Sequence, residues 1–272
     1  IVRAVKRLRF AMEEISVGKL SGAVGNFAHL PPEIEAFVMD RLDLTPEPAA
    51  TQVVQRDRHA SFVCALGLAA SVAEKISVEI RHCQRTEVLE LEEPFGKGQR
   101  GSSAMPHKKN PILCENITGL ARLVKGYSVQ AMENVALWHE RDISHSSVER
   151  VILPDATIGL DFLLIRLKKV LDGLVVNDER MLNNINLLKG LIFSQKVLLA
   201  LTARGVTRDQ AYTFVQRNAL KTWQFDNPFM DNLLADDDVM LVLSRSELEK
   251  LFDFNSYLEH VDTIIARAVL QD

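Results

Sequence analysis

The chain has 272 residues, 47% apolar and 25% charged, with 32 basic against 36 acidic side chains and a net charge of −4. That is the make-up of a folded globular protein of one large domain or about two, and it excludes disorder as the main state. The near-neutral balance leaves no global field to hold a polyanion, which argues against nucleic acid as a partner, and 13 Gly with 9 Pro, without regularly spaced turn clusters, argue for helices over an all-β sandwich or barrel.

Ile1, Val5, Leu8, Met12 and Ile15 recur at helical steps with no start signal before them, which predicts an opening helix that is the middle of a longer one and a chain that is a C-terminal part. Gly18 to Gly25 reads as a small-residue loop, and a short helix lies between Pro31 and Pro48. From Thr51 to about Glu92 the pattern predicts one long helix, with Leu66, Ala70, Ala73, Ser77 and Ile80 on one face. A loop over residues 96–111 ends it. Further long helices are predicted from Ile112 to about Trp138 and from about Ser146 to Leu174, the latter kinked at Pro154. Short helices follow over Leu191–Ala203, Arg208–Trp223, Asn232–Leu243 and Phe254–Val269, with cap signals at Ser244 to Ser246. The acidic run Asp236 to Asp238 reads as a solvated face. The fold class is therefore all-α: an elongated bundle over residues 1–185 and a small helical domain over 186–272. Cys64, Cys83 and Cys114 are an odd number without CxxC or zinc spacing, which fits a reducing, cytoplasmic setting and no metal site. The longest nearly uncharged apolar run, Phe62 to Ala73, is shorter than the roughly 18 residues of a membrane span.

Three segments carry chemistry. In Gly101-Ser102-Ser103-Ala104-Met105-Pro106-His107-Lys108-Lys109-Asn110-Pro111, hydroxyls follow a glycine, and Lys108 and Asn110 stand just before a helix start that Pro111 suits. Composition alone reads equally as a solvated basic loop or as an anion site, where free helix amides and a lysine hold a carboxylate or an enolate-like oxyanion. Trp138 to Arg150 crowds charges and hydroxyls between apolar helices: either a polar turn with a cap, or a phosphate clamp of Arg141 and Arg150 with the Ser146 hydroxyl. In Thr51 to His59, Gln52 offers both donor and acceptor for an amide or purine edge; Arg56, Asp57 and Arg58 read as ion pairs between helices, and His59 as structural.

The first segment resembles the signature loop GSSxMPxKxN of the fumarase/aspartase superfamily, with every fixed position matched. The other two segments, and the Lys19 to Gly25 loop, resemble the purine-nucleotide branch of that superfamily, and the likeness runs over nearly the whole chain. It implies an elongated bundle of the fumarase/aspartase type and anti β-elimination of fumarate from adenylosuccinate, giving AMP, and from the succinyl-carboxamide ribotide of purine synthesis. By the same resemblance Ser102 is the catalytic base beside Ser103, Lys108 and Asn110 hold the succinyl carboxylates, and Glu115 pairs with a catalytic histidine. Met105 joins the substrate loop, and Gln52, Arg141, Ser146 and Arg150 grip the nucleotide. The general acid is expected from a threonine-histidine motif with no counterpart here. No metal or organic cofactor is implied, and the expected partners are a small nucleotide substrate and further copies of the chain, as a homotetramer with sites built by three subunits; neither nucleic acid nor a membrane is expected. The alternatives are another lyase of the superfamily, a carboxymuconate cycloisomerase, or a non-catalytic helical scaffold that only oligomerises.

Overall fold

The structure, a computed structural model, describes residues 1–96, 105 and 107–269, and the chain divides into two compact units, Ile1–Val176 and Asn177–Asp272.

The first unit is built on α1 (Val2–Ile15), α2 (Pro32–Arg41), α3 (Arg56–Cys83), α4 (Ile112–Glu133) and α5 (Ser144–Asp172). Two minimal strand pairs close its loops: β1 (Val17–Gly18) runs parallel to β2 (Thr45–Pro46), and β3 (Leu91–Glu92) antiparallel to β4 (Val175–Val176). Helix direction follows from cross-contacts. Ser128 of α4 donates to the Val63 carbonyl early in α3 (3.4 Å), while Arg81 late in α3 donates to Thr118 early in α4 (3.4 Å), so these helices are antiparallel. Tyr127 meets Asp155 and a Cβ on Gly159 would touch Val124, so α5 runs back against α4. Small side chains on α3 permit this packing: a Cβ on Gly67 would come within 2.7 Å of the Ser128 hydroxyl. The common core is Val63, Ala70, Ala73, Cys114, Ile117, Ala121, Val124, Ala156, Leu163 and Val170, all buried.

The helix expected over Thr51–Glu92 is shorter at both ends. Residues before Arg56 are held by main-chain contacts to other loops, and after Cys83 the chain turns to form β3. By length and composition α3 is, among the described residues, apolar enough by itself to cross a membrane, contrary to the run-length reading. Its apolar character has another use here, because it packs against α1, α4 and α5 at once. Pro154 lies inside α5 without ending it. In α1 the predicted stripe is not the buried one: Ala4 and Ala11 face the core with Leu8, and Val5 and Met12 remain exposed.

The second unit contains α6 (Asp178–Asn186), a 3-10 turn (Leu191–Phe193) leading into α7 (Ser194–Ala203), α8 (Arg208–Phe225), α9 (Phe229–Leu234), α10 (Asp237–Met240), α11 (Arg245–Leu251), a second 3-10 turn (Phe254–Tyr257) and α12 (Val261–Val269). Its core is Val197, Leu201, Ala211, Phe229, Leu233, Val239 and Leu248. The division falls at Val176/Asn177 rather than at 185/186, since pairing of β4 with β3 ties the chain to the first unit up to Val176.

The helix expected over Asn232–Leu243 is two helices, because the Asp236 carboxylate turns back to accept the Asp238 and Val239 amides and so caps α10. Asp236 is therefore not part of a solvated face: it is 6% exposed and bound by Arg217 and Asn218. Burial alone would raise its carboxyl, and the hydrogen bonds from Arg217 and Asn218 outweigh that and hold it below the ordinary value. Ser244 forms a capping box with Glu247, which starts α11.

Candidate active site

At one end of the bundle Met105, His107, Lys108, Asn110 and Glu115 border a single cleft of about 890 Å3, together with Arg81 from the last turn of α3. Ser102 and Ser103 lie outside the described residues. Pro111 stands at the N-cap of α4, so Lys108 precedes the helix and Glu115 sits in its first turn. The step from Lys108 to Glu115 is therefore not two turns of one helix. The loop folds back instead, with the Lys108 amide donating to the Met105 carbonyl (3.1 Å) and the Ile112 amide to the Asn110 carbonyl (2.9 Å). Cations exceed carboxylates along the cleft, with Arg81, Arg85, Lys108 and Lys109 against Glu92 and Glu115. Lys109 is paired with Glu92 at 2.9 Å. Such a lining at a helix start suits an anionic ligand.

Two further residues that sequence reasoning missed are Gln84 at the C-cap of α3, which borders the cleft, and Glu93 just after β3. Both oxygens of the Glu93 carboxylate accept main-chain amides at the start of α4, Leu113 and Cys114, each at 3.1 Å. Gln84 accepts the Glu93 amide (2.9 Å) and donates to the Lys109 carbonyl (3.3 Å). Burial, reinforced by Glu93, pushes the Cys114 thiol up to about 12, so it stays a neutral packing group. The only signal in the sequence was a carboxylate and an amide flanking a loop, which their surroundings alone make informative.

At the opposite end of the bundle lie Gln52, Arg141, Ser146 and Arg150. The Gln52 amide donates to the Glu140 carbonyl (3.3 Å), which sets Gln52 against the residue preceding Arg141. Lys19 donates to the Gln52 carbonyl (3.0 Å) and to the Gly22 carbonyl (2.5 Å), so the small-residue loop is part of the same frame. Burial holds the Lys19 ammonium below its ordinary value, and Glu35 partly counters this. Glycine is required here within the chain: Gly25 has φ +77°, and a Cβ would lie 1.8 Å from the Ala50 carbonyl oxygen.

The Asp142 carboxylate accepts the Ser144 hydroxyl and the Ser144 and Trp138 amides, which hold it at about 2 and fix the turn before α5. Ser146 is half-buried in the first turn of α5, with Arg150 exposed on the next and Arg141 exposed in the loop. Arg56 pairs with Glu149 at 3.0 Å and Arg58 with Glu47 at 2.7 Å, the ion pairs between elements that the sequence suggests. His59 lies beside the first of these pairs, and burial, then the Arg56 charge, depresses its pKa, so it is neutral at pH 7. Among the described residues no three His, Cys, Asp or Glu side chains converge as metal ligands.

One copy does not bring the two sets together. α3 alone separates them, and its 28 residues rise about 1.5 Å each, so the ends are roughly 40 Å apart.

The fold defines the class first: a helical bundle of the fumarase/aspartase type, and residues 1–126 match the family model described as Lyase. A more particular likeness comes from the second unit: residues 190–268 match the model described as Adenylosuccinate lyase C-terminus. It is 57% identical to adenylosuccinate lyase of Thermotoga maritima over 97% of its length and 55% identical to that of Aquifex aeolicus over 96%. The chain spans only 62% and 60% of those relatives. Among solved structures it resembles 3-carboxy-cis,cis-muconate lactonizing enzyme from Pseudomonas putida, with 28% identity and TM-score 0.86 over 98% of this chain and 59% of that one. It also shares the fold of a fumarate lyase from a Mesorhizobium species, with 23% identity and TM-score 0.88 over 99% of this chain and 60% of that one. The far higher identity to the adenylosuccinate lyases disfavours the cycloisomerase alternative.

Proposed function

We propose that the chain supplies the proton-abstracting loop and the nucleotide-gripping segments of an adenylosuccinate lyase, releasing fumarate from adenylosuccinate and from the succinyl-carboxamide ribotide. The observation that carries this reading is the convergence of Lys108, Asn110 and Glu115 on one basic cleft at the start of α4. In the reaction Ser102 takes the proton from the carbon next to a carboxylate. Lys108 and Asn110 hold the charge that builds on the carboxylate, where preorganised donors act most strongly. The carbon–nitrogen bond then breaks, its electron pair goes to nitrogen, and an acid from outside this chain protonates the leaving amine.

The nucleotide end belongs to the same reading, with Arg141, Ser146 and Arg150 on the phosphate and Gln52 on the base. Because the two ends lie roughly 40 Å apart in one copy, the site is completed by other copies, in a homotetramer. Support for association comes from α5, where Val151, Ile158, Phe162 and Ile165 form one helical stripe and are 43–67% exposed. A cytoplasmic setting and a place in purine biosynthesis go with this assignment.

The test is fumarate release, followed as loss of the succinyl-purine absorbance, by the chain itself and by a form extended to the length of its curated relatives. The extended form is expected to turn over and to lose turnover in Ser102→Ala. The chain alone is expected to associate in light scattering and to be at least about 10²- to 10⁴-fold slower, the usual loss when general acid catalysis is missing. A monodisperse monomer, or normal turnover by Ser102→Ala, contradicts the assignment.

A further inference from the structure

The loop that carries Lys108 and Asn110 is held at the residue between them. Lys109 is fixed twice: its carbonyl accepts from the Gln84 carboxamide, and its ammonium pairs with Glu92. Two adjacent lysines that both border the cleft thus do different work, one anchored to the bundle and the other free of that anchor. The next anchor is Glu93, 2% exposed, which spans the amides of Leu113 and Cys114. Pro111 at the N-cap makes no side-chain cap, so Glu93 does from a distant part of the chain what a capping residue does locally, with a charge that suits the helix N-terminus. Gln84, 8% exposed, joins the two anchors by accepting the Glu93 amide.

We propose that Gln84 and Glu93 are positioning residues that set Lys108 and Asn110 for the dicarboxylate half of the substrate, by locking the peptide at Lys109 and the first turn of α4 to the end of α3. The inference rests on the lyase reading. Glu93 lies outside the cleft lining, and Gln84 borders the cleft with its carboxamide committed to the Lys109 carbonyl and the Glu93 amide. A site that stabilises charge developing on a carboxylate depends on donors held to a fraction of an ångström, and displacement by about 1 Å can cost about a hundredfold in rate. The nucleotide segments lie at the far end of α3, so loosening this frame leaves them in place.

The experiment uses whichever form of the protein, as given or extended, turns over adenylosuccinate, with fumarate and AMP as separate probes. Gln84→Met keeps the length and loses donor and acceptor; Glu93→Gln keeps the shape and loses the charge. For both, kcat is expected to fall about 10- to 100-fold and fumarate affinity about tenfold, with AMP affinity within about twofold of the parent and cooperative melting retained. A role confined to stability would move Tm and weaken both probes together. Equal loss of both, unchanged turnover in folded variants, or two variants that only unfold overturns the proposal. If Gln84→Met alone does not fold, Glu93→Gln decides. If neither parent form releases fumarate or binds either probe, the lyase reading falls and takes this inference with it; if a parent binds both and the variants do not discriminate, only the positioning role falls.

Discussion

The loop end of the bundle fixes its functional segment through the buried side chains of Gln84 and Glu93, which hold the peptide next to Lys108 and the start of α4. The opposite end relies on main-chain and lysine contacts, Gln52 to Glu140 and Lys19 to Gln52, and leaves Arg141 and Arg150 exposed. The first end shapes a cleft in one copy; the second leaves its arginines on the surface. Within one chain, helices of this length hold the two sets of groups apart.

The largest expected effect is at the loop end. In a form that turns over, Lys108→Ala is expected to reduce kcat by about 10² to 10³, the range for losing one preorganised charge-stabilising donor, while AMP binding changes little; equal loss of AMP affinity in calorimetry would merge the two ends into one function. At the other end Arg150→Ala is expected to lose about 1.5 to 3 kcal/mol of AMP binding, the contribution of a charged hydrogen bond, with fumarate affinity kept. Titration showing the reverse preference exchanges the assignments. A smaller effect is expected from Lys19→Met, which removes the contacts to the Gln52 and Gly22 carbonyls. A loss of about 1 kcal/mol in AMP affinity with unchanged fumarate affinity supports its framing role, and an unchanged AMP isotherm counts against it.

The smallest expected effect is a pH dependence. His59 has a folded pKa below its ordinary value because of burial and Arg56, so the unfolded chain takes up the proton first as pH drops. Its stabilising contribution is therefore present above about pH 6.5 and is lost as pH falls below that value. Thermal melts of the parent and His59→Gln between pH 5 and about 7.5 should converge at the acid side; parallel curves would show that the site does not couple to folding.

Much of the fold was legible in residue periodicity. The α3 face of Leu66, Ala70, Ala73, Ser77 and Ile80 is buried as the spacing implies, because a helix in a bundle must bury a stripe at that period. Boundaries were less legible. Nothing local stops a helix at Cys83; the competing partners are Lys109 and Glu93, 25 and 9 residues from Gln84. The Asp236 run misled for the same reason, since a carboxylate reads as solvated until Arg217 is folded against it. In the candidate site the signature loop and the arginine turn could be named from their resemblance to a known family, whereas the roles of Gln84, Glu93 and Lys19 could not, as each acts through main-chain atoms of another segment.

By itself the sequence determined an all-helical chain, the residue types at each candidate end, and the likeness that names the reaction, because hydrophobic period and motif chemistry are local properties. Only the tertiary structure decided that Lys108, Asn110 and Glu115 share a cleft while Gln52, Arg141, Ser146 and Arg150 lie at the other end. It also decided which of two neighbouring lysines is anchored and which carboxylate caps α4. The physical reason is that distance along a bundle and burial of a polar group are set by which helices pack antiparallel, and that is fixed by contacts among residues far apart in the chain.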